Sequence, residues 1–411
     1  MHIFSEFLLL LLLTLNSCTE EFEDVVPELE GVPAGGLTSV RVTNVTNDVA
    51  ELEVNLFVVD HFGDFITKLS ESNFEISNVR SNFEAFISSI SEENDVERGP
   101  FSASLLFDQS GSINSTDPKN ARIEAGVAFA DIVNNGDEAA VAAFSSGGNY
   151  QNPYELLVNF TKQPDQLIPA IESLSGRAGG GTPLYRAIYN LIPYTSDGKN
   201  DNKAIVAFTD GEDTDGGVGF DELIQRACSN NVRVYTVGLG GGVDERVLSR
   251  IAFETGGAVM LAEDALQLIS LYNSLGDLLH GRAKFYKLKL QVKRKSGDWQ
   301  LGDIISGAID LPLSSAINIE YPFEVEITNR HVGRWYERLP PCPCTYEEAQ
   351  QLVNTDCVDG TWEDCGEASQ KYHYGATYEV RWWSNNREEG QQCTYDEKGQ
   401  LITAGIAAGS P

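Results

Sequence analysis

Ser104-Leu105-Leu106-Phe107-Asp108-Gln109-Ser110-Gly111-Ser112 is the stretch on which the reading of this chain turns. A short apolar run suited to a buried strand passes directly into an acid and two hydroxyls. The pattern returns downstream, where Ala204-Ile205-Val206-Ala207-Phe208 runs into Thr209-Asp210-Gly211-Glu212-Asp213. Ala139 to Phe144 and Val232 to Val237 are two further continuous apolar or β-branched runs, as strands buried on both faces require. Between the runs, Ile123, Val127 and Ala130, and then Leu223, Ile224, Ala227 and Cys228, recur at helical spacing. Alternating strands and helices over residues 98–283 predict an α/β fold, a doubly wound, Rossmann-like and mostly parallel sheet covered by helices. Ligands of such sheets bind beyond the carboxyl ends of the strands, which is where Asp108 and Asp210 fall.

A third polar piece, Gly179-Gly180-Gly181-Thr182-Pro183-Leu184, is a glycine-rich loop opening a helix. Two carboxylates and three short hydroxyls on one sheet edge are all oxygen donors, a set that suits a hard divalent cation of the Mg²⁺ or Mn²⁺ kind, with Ca²⁺ the other candidate. No His or Cys adjoins them, which disfavours zinc. Hydroxyl ligands leave such an ion electrophilic, so an open position attracts an external carboxylate. These three segments, in this order and spacing, resemble the von Willebrand factor type A (vWA) domain with its metal-ion-dependent adhesion site. The resemblance covers under half the chain. It implies that Ser110, Ser112 and Thr182 supply direct oxygens while Asp108 and Asp210 act through water. The alternative is the same fold with a site that no longer uses metal.

Other residues of this segment have plainer readings. Glu212, Asp213 and Asp215 form either a second cation site or a solvated acidic loop. Cys228, on the apolar stripe of a helix, is expected to be an inert core thiol. The five histidines, at 2, 61, 280, 331 and 373, are scattered, and none is paired with a nucleophile. His280 reads as a capping or surface residue. No catalytic residue is assigned and the chain is not expected to be an enzyme, although a hydrolase within the C-terminal segment stays a third possibility.

On either side of the α/β segment the pattern changes. Glu51-Leu52-Glu53-Val54-Asn55-Leu56-Phe57-Val58 alternates over a strand's length and precedes a turn at Asp60-His61-Phe62-Gly63-Asp64. Lys287-Leu288-Lys289-Leu290-Gln291-Val292-Lys293 alternates likewise with the opposite charge on its polar face. Opposite charges across two strands favour pairing, so these strands are expected to be neighbours. Residues 37–97 and 284–339 would then form one split β-sandwich into which residues 98–283 are inserted.

The 61 acidic and 29 basic side chains give a net charge of −32, which opposes nucleic-acid phosphates and anionic lipid head groups. No nucleic-acid partner is expected. Phe7 to Leu15 is apolar but too short to span a bilayer, and reads as the core of a signal peptide over residues 1–17. Leu15-Asn16-Ser17-Cys18 resembles a bacterial lipobox, which makes Cys18 the lipidated first residue of the mature chain. The alternative is an ordinary secretory signal with a chance Cys. Glu20, Glu21, Glu23 and Asp24 resemble the export stretches of some Gram-negative surface lipoproteins. Residues 18–36 would then be an acidic tether.

Residues 340–411 hold five of the seven cysteines, at 342, 344, 357, 365 and 393, a density that in an exported protein signals disulfides. Cys342-Pro343-Cys344-Thr345, Asp356-Cys357 and Gly390-Gln391-Gln392-Cys393-Thr394-Tyr395-Asp396 resemble the AMOP domain, an extracellular module of adhesion-associated proteins. The chain departs from that pattern at Thr394 and between Tyr378 and Arg381, where a Cys is expected. An odd number of cysteines leaves at least one free, cross-linked elsewhere or intermolecular. Trp382-Trp383 reads as a packed core pair, with a binding platform as the alternative. The resemblances together imply a lipid-anchored adhesion or binding protein of the outer membrane or cell surface of a Gram-negative bacterium, engaging a protein or glycan carboxylate through a divalent cation. The alternative is a structural scaffold of an envelope complex that uses the same domain for a constitutive subunit contact.

Overall fold

The computed structural model describes residues 32–133, 136–147, 153–210, 213–239, 243–262, 265–315, 317–328, 342–343, 345–353, 360–368, 373, 375–384 and 390–402. The signal peptide, Cys18 and most of the acidic tether lie outside them, as do Glu212, Cys344 and Cys357. Ala34–Thr46 (β1) and Val49–Val59 (β2) form a hairpin that Asn47 turns in the left-handed region, at φ 47°. Along β2, Ala50, Leu52, Val54 and Leu56 are buried while Glu51 and Glu53 are half-exposed, as the alternation predicts. Glu75–Ser77 (β3) and Phe83–Asn94 (β4) follow.

The expected alternation then begins. Its elements are Phe101–Asp108 (β5), the single turn Ile113–Thr116 (α1), Ala121–Ile132 (α2), Glu138–Phe144 (β6), Glu155–Thr161 (β7), Pro164–Glu172 (α3) and Leu184–Ser196 (α4). Asn202–Thr209 (β8), Phe220–Ser229 (α5), Val232–Leu239 (β9), Glu245–Glu254 (α6), Val259–Ala262 (β10) and Ala265–His280 (α7) complete it. Strands β10, β9, β8, β5 and β6 run parallel in that order, with β7 antiparallel at the edge. Every residue of β5 and β6 is buried because helices cover both faces. Leu105 and Phe107 join a cluster with Phe129, Ile171 and Leu271 of α2, α3 and α7. Leu106 joins Ile188, Leu223 and Leu248 of α4, α5 and α6. Each Leu or Phe buried in this way stabilises the fold by about 1.5–3 kcal/mol.

Lys284–Arg294 (β11) returns between β2 and β4, and Ile304–Pro312 (β12) pairs with both Asn318–Glu326 (β13) and β3. The large sheet has ten strands, ordered β4-β11-β2-β1-β10-β9-β8-β5-β6-β7. The sheet β13-β12-β3 packs over its antiparallel half, placing Ile309, Leu311 and Phe323 in one core with Val54, Leu288 and Leu290. A sandwich is therefore present, but its larger layer runs unbroken into the parallel sheet through β1 and β10, where Gly36 opposes Met260 and Leu37 opposes Val259. A Cβ on Gly36 would sit 2.6 Å from the Val259 carbonyl oxygen, so only glycine permits this approach.

β11 and β2 are neighbours, and their register refines the charge pairing. Lys289 faces Glu53, whereas Lys287 faces Asn55 and Gln291 faces Glu51. Lys287 turns instead to Glu93 on β4 at 2.9 Å, and Glu53 also binds Arg41 on β1 at 2.9 Å.

In the C-terminal segment, Tyr346–Leu352 (α8) is capped by Thr345 and Glu348, each side chain accepting the other's backbone N–H. Gly360–Glu367 (β14), Tyr378–Ser384 (β15) and Gly390–Tyr395 (β16) form an antiparallel sheet around Trp362, Val380, Trp382 and Tyr395. Trp382 is thus a core residue. A disulfide joins Cys342 to Cys393, and Cys365 is an exposed free thiol. No described helix is long and apolar enough to cross a membrane.

Candidate functional site

The apolar side chains of β5 and β8 hold both strands in the core, so their carboxyl ends present the next residues at one sheet edge. Asp108 closes β5 and is fully buried. Its Oδ1 accepts the Ser110 N–H at 2.7 Å and its Oδ2 accepts the Thr209 hydroxyl of β8, also at 2.7 Å. The Ser110 and Ser112 hydroxyl oxygens lie 3.0 Å apart, Ser110 buried and Ser112 exposed at the start of α1. Asp210 is buried and its Oδ2 accepts the Thr116 hydroxyl of α1 at 3.3 Å.

Thr182 reaches the same edge on the glycine loop. The Gly111 N–H donates to the Gly180 carbonyl at 2.8 Å, and the Gly179 N–H donates to the Gln109 carbonyl at 2.8 Å. Ser146, just beyond β6, exchanges two backbone bonds with Gly181, at 3.0 and 2.8 Å. Thr214 fixes Thr182 from the other side, its hydroxyl accepting the Thr182 N–H at 2.9 Å and its N–H donating to the Thr182 carbonyl at 3.0 Å. A Cβ on Gly181 would lie 2.6 Å from Asp215 Oδ1 and 2.8 Å from Ser146 Oγ, so any larger residue would displace those two side chains. All five residues singled out in the sequence, Asp108, Ser110, Ser112, Thr182 and Asp210, therefore sit on loops stitched together at one edge.

The electrostatics of that edge ask for positive charge. Burial, with the neighbouring Asp210 charge adding to it, pushes the Asp108 carboxyl up to about 6 despite the bonds from Ser110 and Thr209. Two buried carboxylates backed by neutral hydroxyls fit a small oxygen-loving divalent cation. Among the described residues no three His, Cys, Asp or Glu side chains converge as an alternative metal cage.

The possible second cation site has other uses for its acids. Asp213 accepts the Tyr185 N–H at 3.3 Å at the start of α4, and burial raises its carboxyl above the usual range. Asp215 pairs with Arg186 at 3.4 Å. His280 is neither a simple cap nor a surface group. Its Nε2 lies 3.0 Å from the buried Asp137, beside the start of β5 at the opposite edge of the sheet. Cys228 is not an inert thiol: it is disulfide-bonded, with a cysteine outside the described residues.

Sequence reasoning missed the residues that support the site. Thr209, Thr116 and Thr214 each bind one of the five. Behind Ser110, Arg122 and Asp117 form a buried ion pair at 2.7 Å, with side chains 3 % and 2 % exposed. Asp117 also accepts the Ala121 N–H at 2.6 Å, satisfying a free donor in the first turn of α2. Gln109, oriented to satisfy its neighbours, accepts from Arg122 at 2.9 Å and donates to the Leu174 carbonyl at 3.2 Å. The detectable signal was Thr209, a hydroxyl immediately before the strand-end acid.

Two family models match parts of the chain. Residues 104–274 match the family model of the von Willebrand factor type A domain, and residues 325–411 match that of the AMOP domain. No curated protein matches the chain. Among solved structures, a von Willebrand factor type A protein from Catenulispora acidiphila is similar at 13% identity, covering 72% of this chain and 74% of that one, with a TM-score of 0.40. Proximal thread matrix protein 1 of the mussel byssus is similar at 22% identity, covering 46% and 49%, with a TM-score of 0.37. The vWF domain of the type V pili tip protein Mfa5 from Porphyromonas gingivalis is similar at 12% identity, covering 44% and 96%, with a TM-score of 0.32.

Proposed function

We propose that this chain, which carries a von Willebrand factor type A domain at residues 104–274 and an AMOP domain at residues 325–411, is a lipid-anchored adhesion protein that grips an acidic group on a protein or glycan partner through a divalent cation. A vWA domain points in general to protein interaction, and the cation-dependent mode is our reading of this chain's own site. The observation that carries it is the meeting of Asp108, Ser110, Ser112, Thr182 and Asp210 at one edge, with Asp108 under electrostatic strain that a cation would relieve.

In this reading Ser110, Ser112 and Thr182 supply neutral oxygens, and Asp108 and Asp210 balance charge. A bound Mg²⁺ or Mn²⁺ would offer an electrophilic position to a partner's carboxylate. Thr209 and the Ser110 N–H hold Asp108 in one orientation before any partner arrives. Thr214 and Ser146 do the same for the loop of Thr182, so little ordering entropy remains to be lost on binding. Binding rather than catalysis is the role we assign to these groups. The lipobox-like Cys18 and the acidic stretch after it support attachment to the outer membrane or cell surface of a Gram-negative bacterium.

The test is capture of a partner from envelope extract with and without chelator. Retention that Mg²⁺ restores after chelation supports the proposal. A stoichiometric complex that resists chelation favours the scaffold reading instead.

A further inference from the structure

Cys228 lies in the last turn of α5 and is disulfide-bonded. Of the other described cysteines, Cys342 and Cys393 hold each other and Cys365 is free. Its partner is therefore one of the remaining three in the sequence, Cys18, Cys344 or Cys357. Two observations separate them. Helix α8 lies against α5, and Cys344 and Cys357 flank α8 in sequence, Cys344 immediately before its cap Thr345. The N-terminal segment instead enters on the opposite face of the sheet, where the Val32 N–H donates to the Leu266 carbonyl of α7, a helix packed with α2 rather than with α5.

We infer that Cys228 is bonded to one of the two cysteines flanking α8, a covalent rivet between the α/β domain and the C-terminal module. It adds a second link to the polypeptide path from β13 and closes a long loop. The module's position is then set by α5, and a pull on the C-terminus reaches the α/β domain through Cys228 as well as through the backbone. Cys228 is eight residues along α5 from Phe220, about 12 Å further from the Asp210 loop. A rivet at that end keeps the module away from Asp108 and Asp210 and leaves the candidate site open.

Non-reducing peptide mapping of the full-length chain tests this. With free thiols alkylated at acid pH, trypsin yields Ala227–Arg233 carrying Cys228 and Leu339–Lys371 carrying Cys342, Cys344, Cys357 and Cys365. The inference expects these two peptides in one disulfide-linked species, which also carries Glu388–Lys398 through the Cys342–Cys393 bond; reduction separates all three and Cys228→Ser removes Ala227–Arg233 from it. Either Cys344→Ser or Cys357→Ser, but not both, should likewise release Ala227–Arg233 and so assign the partner. Recovery of Ala227–Arg233 alkylated, linked to the Cys18 peptide, or linked to a second copy of itself would overturn the inference. So would Ala227–Arg233 staying linked in both single variants. The wild-type map decides even where a variant folds poorly.

Discussion

Replacing Asp108 with Asn removes one charge from a buried pair while keeping shape and most hydrogen bonding. The amide oxygen still accepts the Ser110 N–H, and the Thr209 hydroxyl rotates to accept from the new NH₂. Without a cation, burial pushes the Asp108 carboxyl up to about 6, well above the ordinary aspartate value of 3.8. A folded value above the unfolded one means that the stability contributed by the protonated form is fully present below the unfolded value. It is lost as pH rises through the folded value. Two units at 1.36 kcal/mol each make this loss about 3 kcal/mol between pH 3.8 and 7. Asn cannot ionise, so the wild-type chain should fall behind Asp108→Asn by about 2–3 kcal/mol at pH 7.5 and match it near pH 4. Titrating groups remote from Asp108 cancel in the difference. Urea denaturation of both proteins with chelator at several pH values measures it. A stability difference that stays flat with pH would refute the strained-carboxylate argument. Saturating Mg²⁺ should reverse the order at pH 7.5, since a ligand at about 1,000 times its Kd stabilises the folded state by about 4.1 kcal/mol, more than the deficit.

Gly181→Ala should weaken Mg²⁺ binding at least tenfold by calorimetry with the circular dichroism spectrum unchanged, because the new Cβ pushes against Asp215 and Ser146 and shifts the loop of Thr182. Arg122→Met leaves Asp117 buried without its cation and should cost about 3–5 kcal/mol in urea unfolding; a loss under 1 kcal/mol would argue against a neutralising role for Arg122. A double-mutant cycle between Glu53 and Lys289 should give a coupling under about 1 kcal/mol, since Lys289 is exposed and Glu53 already binds Arg41. Cys18→Ala should move the protein from the membrane to the soluble fraction on cell fractionation, and continued sedimentation with membranes, no partner being retained, would count against lipid anchoring.

The parallel sheet was legible because β5, β6, β8 and β9 are buried on both faces and therefore read as continuous apolar runs. The site was legible because strand ends convert such runs abruptly into acids and hydroxyls. The junction of β1 with β10 was not, since hydrophobic periodicity reports which face is buried and not which strand lies alongside. Gly36, which comes within reach of the Val259 carbonyl, fell in the segment read as tether. Charge matching held for Lys289, which faces Glu53, and failed for Lys287, which faces Asn55 and turns to Glu93 on β4, a partner that the alternation of β2 and β11 does not reveal. Cys228 was misread because a half-cystine and a buried thiol occupy the same apolar stripe on a helix. Arg122 and Asp117 were invisible because charged residues are read as solvated unless a partner is known, and theirs is set by tertiary contact.

Isothermal titration of Mg²⁺ and of Mn²⁺ into wild type and Asp108→Ala tests the adhesion-site account most directly. The account predicts a saturable, one-site heat for wild type, none for Asp108→Ala, and an intermediate, weakened isotherm for Thr182→Ala, where water can replace one neutral oxygen. Equal heats from wild type and Asp108→Ala would contradict it.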